Sequence, residues 1–315
     1  MKPEVKKRYI EPNFLHLVAR GLIYHMLRIP AYFPFSTEVS VVENSISRAN
    51  QLFDEGYGCL LNITHFSKLD ALQMIVWPSL LSSQIFKRPL VVPMELRQSQ
   101  QMHGFLVKIA PMLGITIFPI VIDDTIKYID QQKISPFHKN GKKIVLGDNV
   151  PEYLRATRQA LADCAVVGMA PQMGRRSTLE PLQRIDKEKL ENTREPIRAL
   201  VGSKNELKKV FFLFMSMSLK GKPVYAPNAG IFVAEESNVD YAEEKDKYST
   251  KGYDIRLGPV VTHEEAMALA KMQNITLDEW IINMHSLQVD PRYRKTDYDS
   301  NVVTFNNYFD MFQNK

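Results

Sequence analysis

Cysteine is nearly absent from this sequence: 315 residues contain two, Cys59 and Cys164, each set in an apolar run. A disulfide-built scaffold and a Cys-rich metal centre are excluded, and a reducing, cytoplasmic compartment suits the chain. Glycine (14) and proline (18) are sparse, and 24% of residues are charged. That composition excludes collagen-like, low-complexity and disordered classes. No apolar run approaches the roughly 20 residues that a spanning helix needs. No long basic block and no RNP-type aromatic motif occurs, so nucleic acid is not an expected partner. Walker A, G-x-G-x-x-G, G-x-S-x-G, H-E-x-x-H and C-x-x-C signatures are all missing. Their absence argues against nucleotide hydrolysis, hydride transfer, serine-elbow hydrolysis and zinc proteolysis.

What the chain does have is enough apolar material, 45% of its residues, for one sizeable core or two small ones sharing an interface. Its net charge of +5 suits nucleic acid, anionic lipid or phosphorylated small molecules and by itself does not choose among them. Residues 1–40 read as a basic, membrane-associating segment. Lys6, Lys7 and Arg8 precede a stretch from Phe14 to Phe35 in which His16, Arg20, His25 and Arg28 interrupt the apolar residues. Those interruptions rule out a secretory signal and a spanning helix. They fit an amphipathic helix lying in a membrane interface, cations toward headgroups and Phe and Leu toward acyl chains. An ordinary surface helix packed on the core is the other reading.

Residues 41–290 alternate strand-like and helix-like runs. Strands are expected at 57–63, 89–94, 114–122, 164–170, 223–227 and 254–257. Helices are expected at 43–55, 67–80, 98–112, 152–162, 186–195, 205–219, 263–272 and 277–287, with a polar loop over 131–149. The alternation implies a single α/β sandwich with a largely parallel central sheet flanked by helices. Residues 291–315 read as a polar, aromatic tail.

One constellation carries chemistry: His65-Phe66-Ser67-Lys68-Leu69-Asp70. It follows the strand-like run YGCLLNI and opens the next helix. His65 therefore falls at the carboxyl edge, where open α/β sheets place ligands. An Asp one turn into the helix can hold one ring nitrogen, leaving the other to take a proton from an attacking hydroxyl. The spacing alone is weak. His285 and Asp290 repeat it at a helix end and read as coincidence. Ser67-x-x-Asp70 is also a capping-box pattern, so Asp70 has a structural use available.

Further blocks follow in order: PMEL at 93–96, GITIFPI at 114–120, APQMGRRS at 170–177, KPVYAP at 222–227 and DIRLGPV at 254–260. With NITHFSKLD at 62–70, this ordered set resembles the glycerolipid acyltransferases, the H-x4-D family acting on glycerol phosphate and 1-acylglycerol phosphate. The resemblance covers roughly residues 40 to 290. It implies acyl transfer from acyl-CoA or an acyl-carrier protein to a lipid hydroxyl at the membrane surface, with no metal and no cofactor. His65 would be the general base and Asp70 its orienter. Ser67, Gln172, Arg175 and Arg176 would contact substrate. The chain departs from the family at four residues, Ile120, Gln172, Met173 and Arg176, the last in place of a Ser. Ile120 stands where a phosphate-binding Arg is usual, Gln172 replaces a Glu, and Met173 replaces a Gly. Arg175 matches the family's Arg, and Arg176 is an added cation. These departures leave two other outcomes open: a sugar or amino-alcohol acceptor without phosphate, or a lipid- or carrier-binding homologue without turnover.

Overall fold

The computed structural model describes residues 7–32, 36–63, 77–96, 104–121, 123–132, 134–138, 141–169, 197, 201, 207, 209–219 and 252–288. Expected elements at 186–195 and 223–227, and all of 291–315, lie outside the described residues.

Among the described residues seven strands form one sheet: β1 (Ser36–Val41), β2 (Gly58–Ile63), β3 (Leu90–Glu95), β4 (Ile115–Ile120), β5 (Val166–Met169), β6 (Val210–Leu219) and β7 (Gly252–Thr262). Their order is β1-β7-β6-β2-β5-β3-β4. β6, β2, β5, β3 and β4 run parallel. β7 is antiparallel to β6 and carries β1 parallel to itself. The α/β fold expected from the alternation, with a mostly parallel sheet between helices, is the one observed.

Strand alternation sorts the core into two layers. Cys59, Leu61, Ile63, Phe211, Leu213 and Met215 face one side. They pack with α1 (Phe14–Tyr32), α2 (Ser45–Asp54) and α3 (Ser83–Lys87). Leu60, Val91, Val167, Phe212 and Phe214 face the other. There they meet α6 (Val150–Ala162), α7 (His263–Met272) and α8 (Leu277–Gln288). Gly58 lets β2 and α6 approach closely, since a Cβ there would stand 2.2 Å from the Leu161 carbonyl oxygen.

Several elements differ from the sequence reading. The run expected as a helix at 205–219 is, from Val210 onward, strand β6. Both of its faces are buried over 210–216, so apolar residues occur at every position and no period of two shows. The 254–257 strand extends to 252–262, passing through Gly258-Pro259. Those two residues stand opposite Phe214 alone, where the β6–β7 register shifts. A bulge is a position that tolerates Pro within a sheet. Strand β1 and helix α5 (Asp123–Asp130) were not expected. The 98–112 helix is described from Gly104 as α4 (Gly104–Ile109), which tightens into a 3-10 turn over Ala110–Leu113.

Helix α1 reverses one expectation. Asn13 caps it reciprocally with His16: each backbone N–H donates to the other's side chain at 3.0 Å. Arg20, expected toward headgroups, is buried. Its Nε donates to the Leu113 carbonyl at 2.5 Å, Nη1 to those of Phe86 and Arg88 at 2.6 and 2.8 Å, and Nη2 to that of Gly114 at 3.0 Å. The guanidinium fork thus satisfies chain ends that enter β3 and β4, which an apolar residue could not do. The outward side of α1 instead presents Phe14, Leu15, Val18, Leu22 and Met26 to solvent.

Candidate functional site

The connections of the parallel strands define where a ligand would sit. β2→β3 and β3→β4 both move toward the β4 edge, and their helical residues Trp77, Ile85, Ala110 and Leu113 pack on the α1/α2 side. β4→β5 and β5→β6 move back the other way. Their buried residues Tyr153, Leu161, Ile197 and Val201 pack on the opposite side. Right-handed crossovers require this change of face when the direction reverses. Adjacent strands β2 and β5 therefore send their chains to opposite faces, which makes their carboxyl ends the topological switch point. In open α/β sheets that crevice is the ligand site.

The ladder fixes how the two ends match. Cys59 pairs with Val166, and Asn62 with Met169. One residue past Asn62 the described part of β2 ends at Ile63, and that of β5 ends at Met169. His65, Ser67 and Asp70 follow β2 in the chain; Gln172, Arg175 and Arg176 follow β5. All six lie outside the described residues. Ile120 is described. It ends β4, opposite Glu95 of β3, and packs partly buried on the α6/α8 side.

Beneath the β2 and β6 ends lies a polar zone that the sequence reading missed. Asn62 is buried on the α8 side of β2, with Nδ2 donating to the Leu60 carbonyl at 3.2 Å and Oδ1 without a partner. On β6, the Ser216 hydroxyl donates to the Gln288 carbonyl at 2.5 Å, tying the end of α8 over that strand. His285, one turn earlier on α8, is fully buried, and neither ring nitrogen has a partner. Burial pushes its pKa down to about 3, so the imidazole is neutral. The repeated His-x4-Asp spacing at 285–290 thus starts inside the core; Asp290 lies outside the described residues. The available sequence signal for this zone was a polar residue in each buried run, Asn62 in GCLLNI and Ser216 in VFFLFMSMSL.

Both cysteines are free. Cys59 is buried and its thiol pKa is raised by that burial, which makes it inert as a nucleophile. No helix among the described residues is long and apolar enough to cross a membrane. No group of three or more His, Cys, Asp or Glu that could hold a metal occurs among the described residues. Compared with known protein families and with curated proteins, the chain shows no match to either.

Proposed function

We propose that this chain is an O-acyltransferase that moves a fatty acyl group from a CoA or carrier-protein thioester to the hydroxyl of a lipid acceptor. The observation that carries this reading is the adjacency of β2 and β5 at the switch point. The His-x4-Asp block continues one of these strands in the chain, and the Arg175-Arg176 block continues the other. The ordered resemblance to glycerolipid acyltransferases supports the same assignment.

The chemistry follows from the residue types. His65 takes the proton of the acceptor hydroxyl as its oxygen attacks the thioester carbonyl carbon. Asp70 holds the imidazole in the right tautomer and stabilises the imidazolium. The tetrahedral intermediate collapses by breaking the C–S bond, and the proton passes from His65 to the leaving sulfur. The products are an ester and a free thiol. Ser67 and Gln172 contribute hydrogen bonds to substrate.

Strand order bears on the acceptor. Neighbouring strands lie about 4.8 Å apart, so β4 is roughly 14 Å, three spacings, from β2. A cation following β5 starts only one spacing away. Arg175 and Arg176 can therefore serve a phosphate beside His65 in place of the arginine absent at Ile120, since a guanidinium binds phosphate bidentately. The apolar packing of Ile120 favours the second reading, a neutral acceptor.

The substrate lives in a membrane, and α1 supplies a means of reaching it. Its solvent-facing stripe, Phe14, Leu15, Val18, Leu22 and Met26, would enter the headgroup–acyl boundary, making this a peripheral membrane protein. Co-sedimentation with phospholipid vesicles, compared with Leu22→Ser/Met26→Ser, tests that attachment. Release of free thiol from acyl-CoA, with and without glycerol phosphate or a lysophospholipid, tests the activity. Acceptor-dependent release supports transfer. Lipid binding with no turnover would identify a binding protein instead.

A further inference from the structure

The segment 131–149 contains four lysines, Lys133, Lys139, Lys142 and Lys143, against one acid, Asp148. Its described residues form a built hairpin. His138 N–H donates to the Lys142 carbonyl at 2.8 Å and Ile144 N–H to that of Pro136 at 2.8 Å, closing an antiparallel bridge between Phe137 and Lys143. Asp148 holds the base: its carboxylate accepts from the Val145 N–H at 2.9 Å and Lys142 Nζ at 3.3 Å, and lies 3.1 Å from His138 Nε2. The backbone of Gly147 and Asp148 pairs with Val121, the residue just past β4. The hairpin is thereby fixed at the carboxyl edge of the sheet, the edge of the switch point.

Its apolar residues divide in two. Ile134 and Ile144 are buried, and Ile144 packs with Leu96 and Val121. Phe137, Val145 and Leu146 are 52, 49 and 59% exposed. A loop made only to be solvated has no use for three large apolar side chains among lysines. A surface that is apolar at its depth and anionic at its rim does. We propose that this hairpin docks on an anionic phospholipid bilayer, with Phe137, Val145 and Leu146 at the acyl boundary and Lys142 and Lys143 among the headgroups. The inference rests on the membrane-surface reading and adds to α1 a second attachment that turns the switch-point edge toward the lipid.

Leu146→Trp tests this in an otherwise native full-length chain, because both natural tryptophans, Trp77 and Trp280, are buried. With vesicles containing about a third phosphatidylglycerol, the introduced indole should shift its emission to the blue and be quenched by bromolipids. Lys143→Glu should weaken partitioning onto those vesicles about fivefold or more and leave binding to neutral vesicles nearly unchanged. If the chain sediments with anionic vesicles while the indole stays solvent-exposed, the hairpin proposal is overturned and attachment by α1 stands. If the indole inserts while Leu22→Ser/Met26→Ser binds normally, the hairpin stands and the role of α1 falls. No vesicle binding by the native chain overturns both. Capture of an acidic protein, with the indole exposed on every vesicle, would overturn a lipid partner too.

Discussion

Asn62 of β2 pairs in register with Met169 of β5, at the end of the ladder between those strands. In sequence, His65 follows the first of these strands and Arg175 the second. Two stretches more than 100 residues apart in sequence thus start from neighbouring points at one sheet edge. If a phosphate-bearing acceptor is used, Arg175→Ala should raise its KM about ten- to a hundredfold, the worth of a charge-assisted bidentate contact. Background thioester hydrolysis should hardly change. Arg175→Lys should recover only part, because an ammonium cannot reproduce the fork. Unchanged KM in both variants would point to a neutral acceptor.

Asp70→Asn separates an orienter from a helix cap. The amide oxygen can still accept a backbone N–H, so the unfolding free energy should fall by about 1 kcal/mol or less. It cannot stabilise an imidazolium, so turnover should fall about a hundredfold or more. Comparable, small losses in urea unfolding and in turnover would leave Asp70 as a cap only.

Arg20 is a structural cation. Four carbonyl oxygens accept from its guanidinium, and burial lowers its pKa. Arg20→Ala leaves these acceptors dry and opens a cavity. Hydrogen bonds to charged groups contribute about 1.5–3 kcal/mol each, so the loss should be at least about 3 kcal/mol in urea unfolding. Arg20→Lys should recover less than half of it, since one ammonium cannot span four carbonyls. Near-native stability of Arg20→Ala would show that water replaces the fork.

His285 should make the fold acid-sensitive. Its folded pKa of about 3 lies below the ordinary value of about 6.5, so the unfolded chain binds the extra proton between those limits. The contribution is complete above about pH 6.5 and is lost as pH falls toward 3, by up to about 1.4 kcal/mol per pH unit. His285→Leu keeps the volume and removes the titration. It should flatten the decline between pH 6.5 and 5 measured by urea unfolding. Parallel declines in the two proteins would contradict this. His285→Ala is a poor control for activity, because it leaves a cavity in the core.

Much of this was legible in the sequence where turn chemistry and alternation agree. The apolar run before His65 ends where β2 ends, and the expected helices at 263–272 and 277–287 match α7 and α8. What failed did so for physical reasons. β6 is buried on both faces, so its helix and strand patterns coincide, although Val210, Phe211, Phe212 and Phe214 favoured a strand. β1, STEVSV, is a polar strand joined to the sheet through β7, a contact that sequence spacing does not report. Arg20 looked like a headgroup ligand because nothing local shows that Leu113, Gly114, Phe86 and Arg88 would bring it their carbonyls. The His65–Asp70 spacing was legible as a pattern and the common sheet edge of the two blocks was an expectation, but the adjacency of the strands that precede them, β2 and β5, was not legible, since it follows only from the crossover order.

The central claim is that His65 is the base for acyl transfer. The direct measurement is acceptor-dependent release of free thiol from acyl-CoA by the native chain and by His65→Ala, on anionic vesicles, with folding checked by circular dichroism. The sequence places His65 on a loop after the strand-like run, so the variant is expected to fold normally while turnover falls about 10²–10⁴-fold. Near-native turnover in a folded His65→Ala protein would contradict the account.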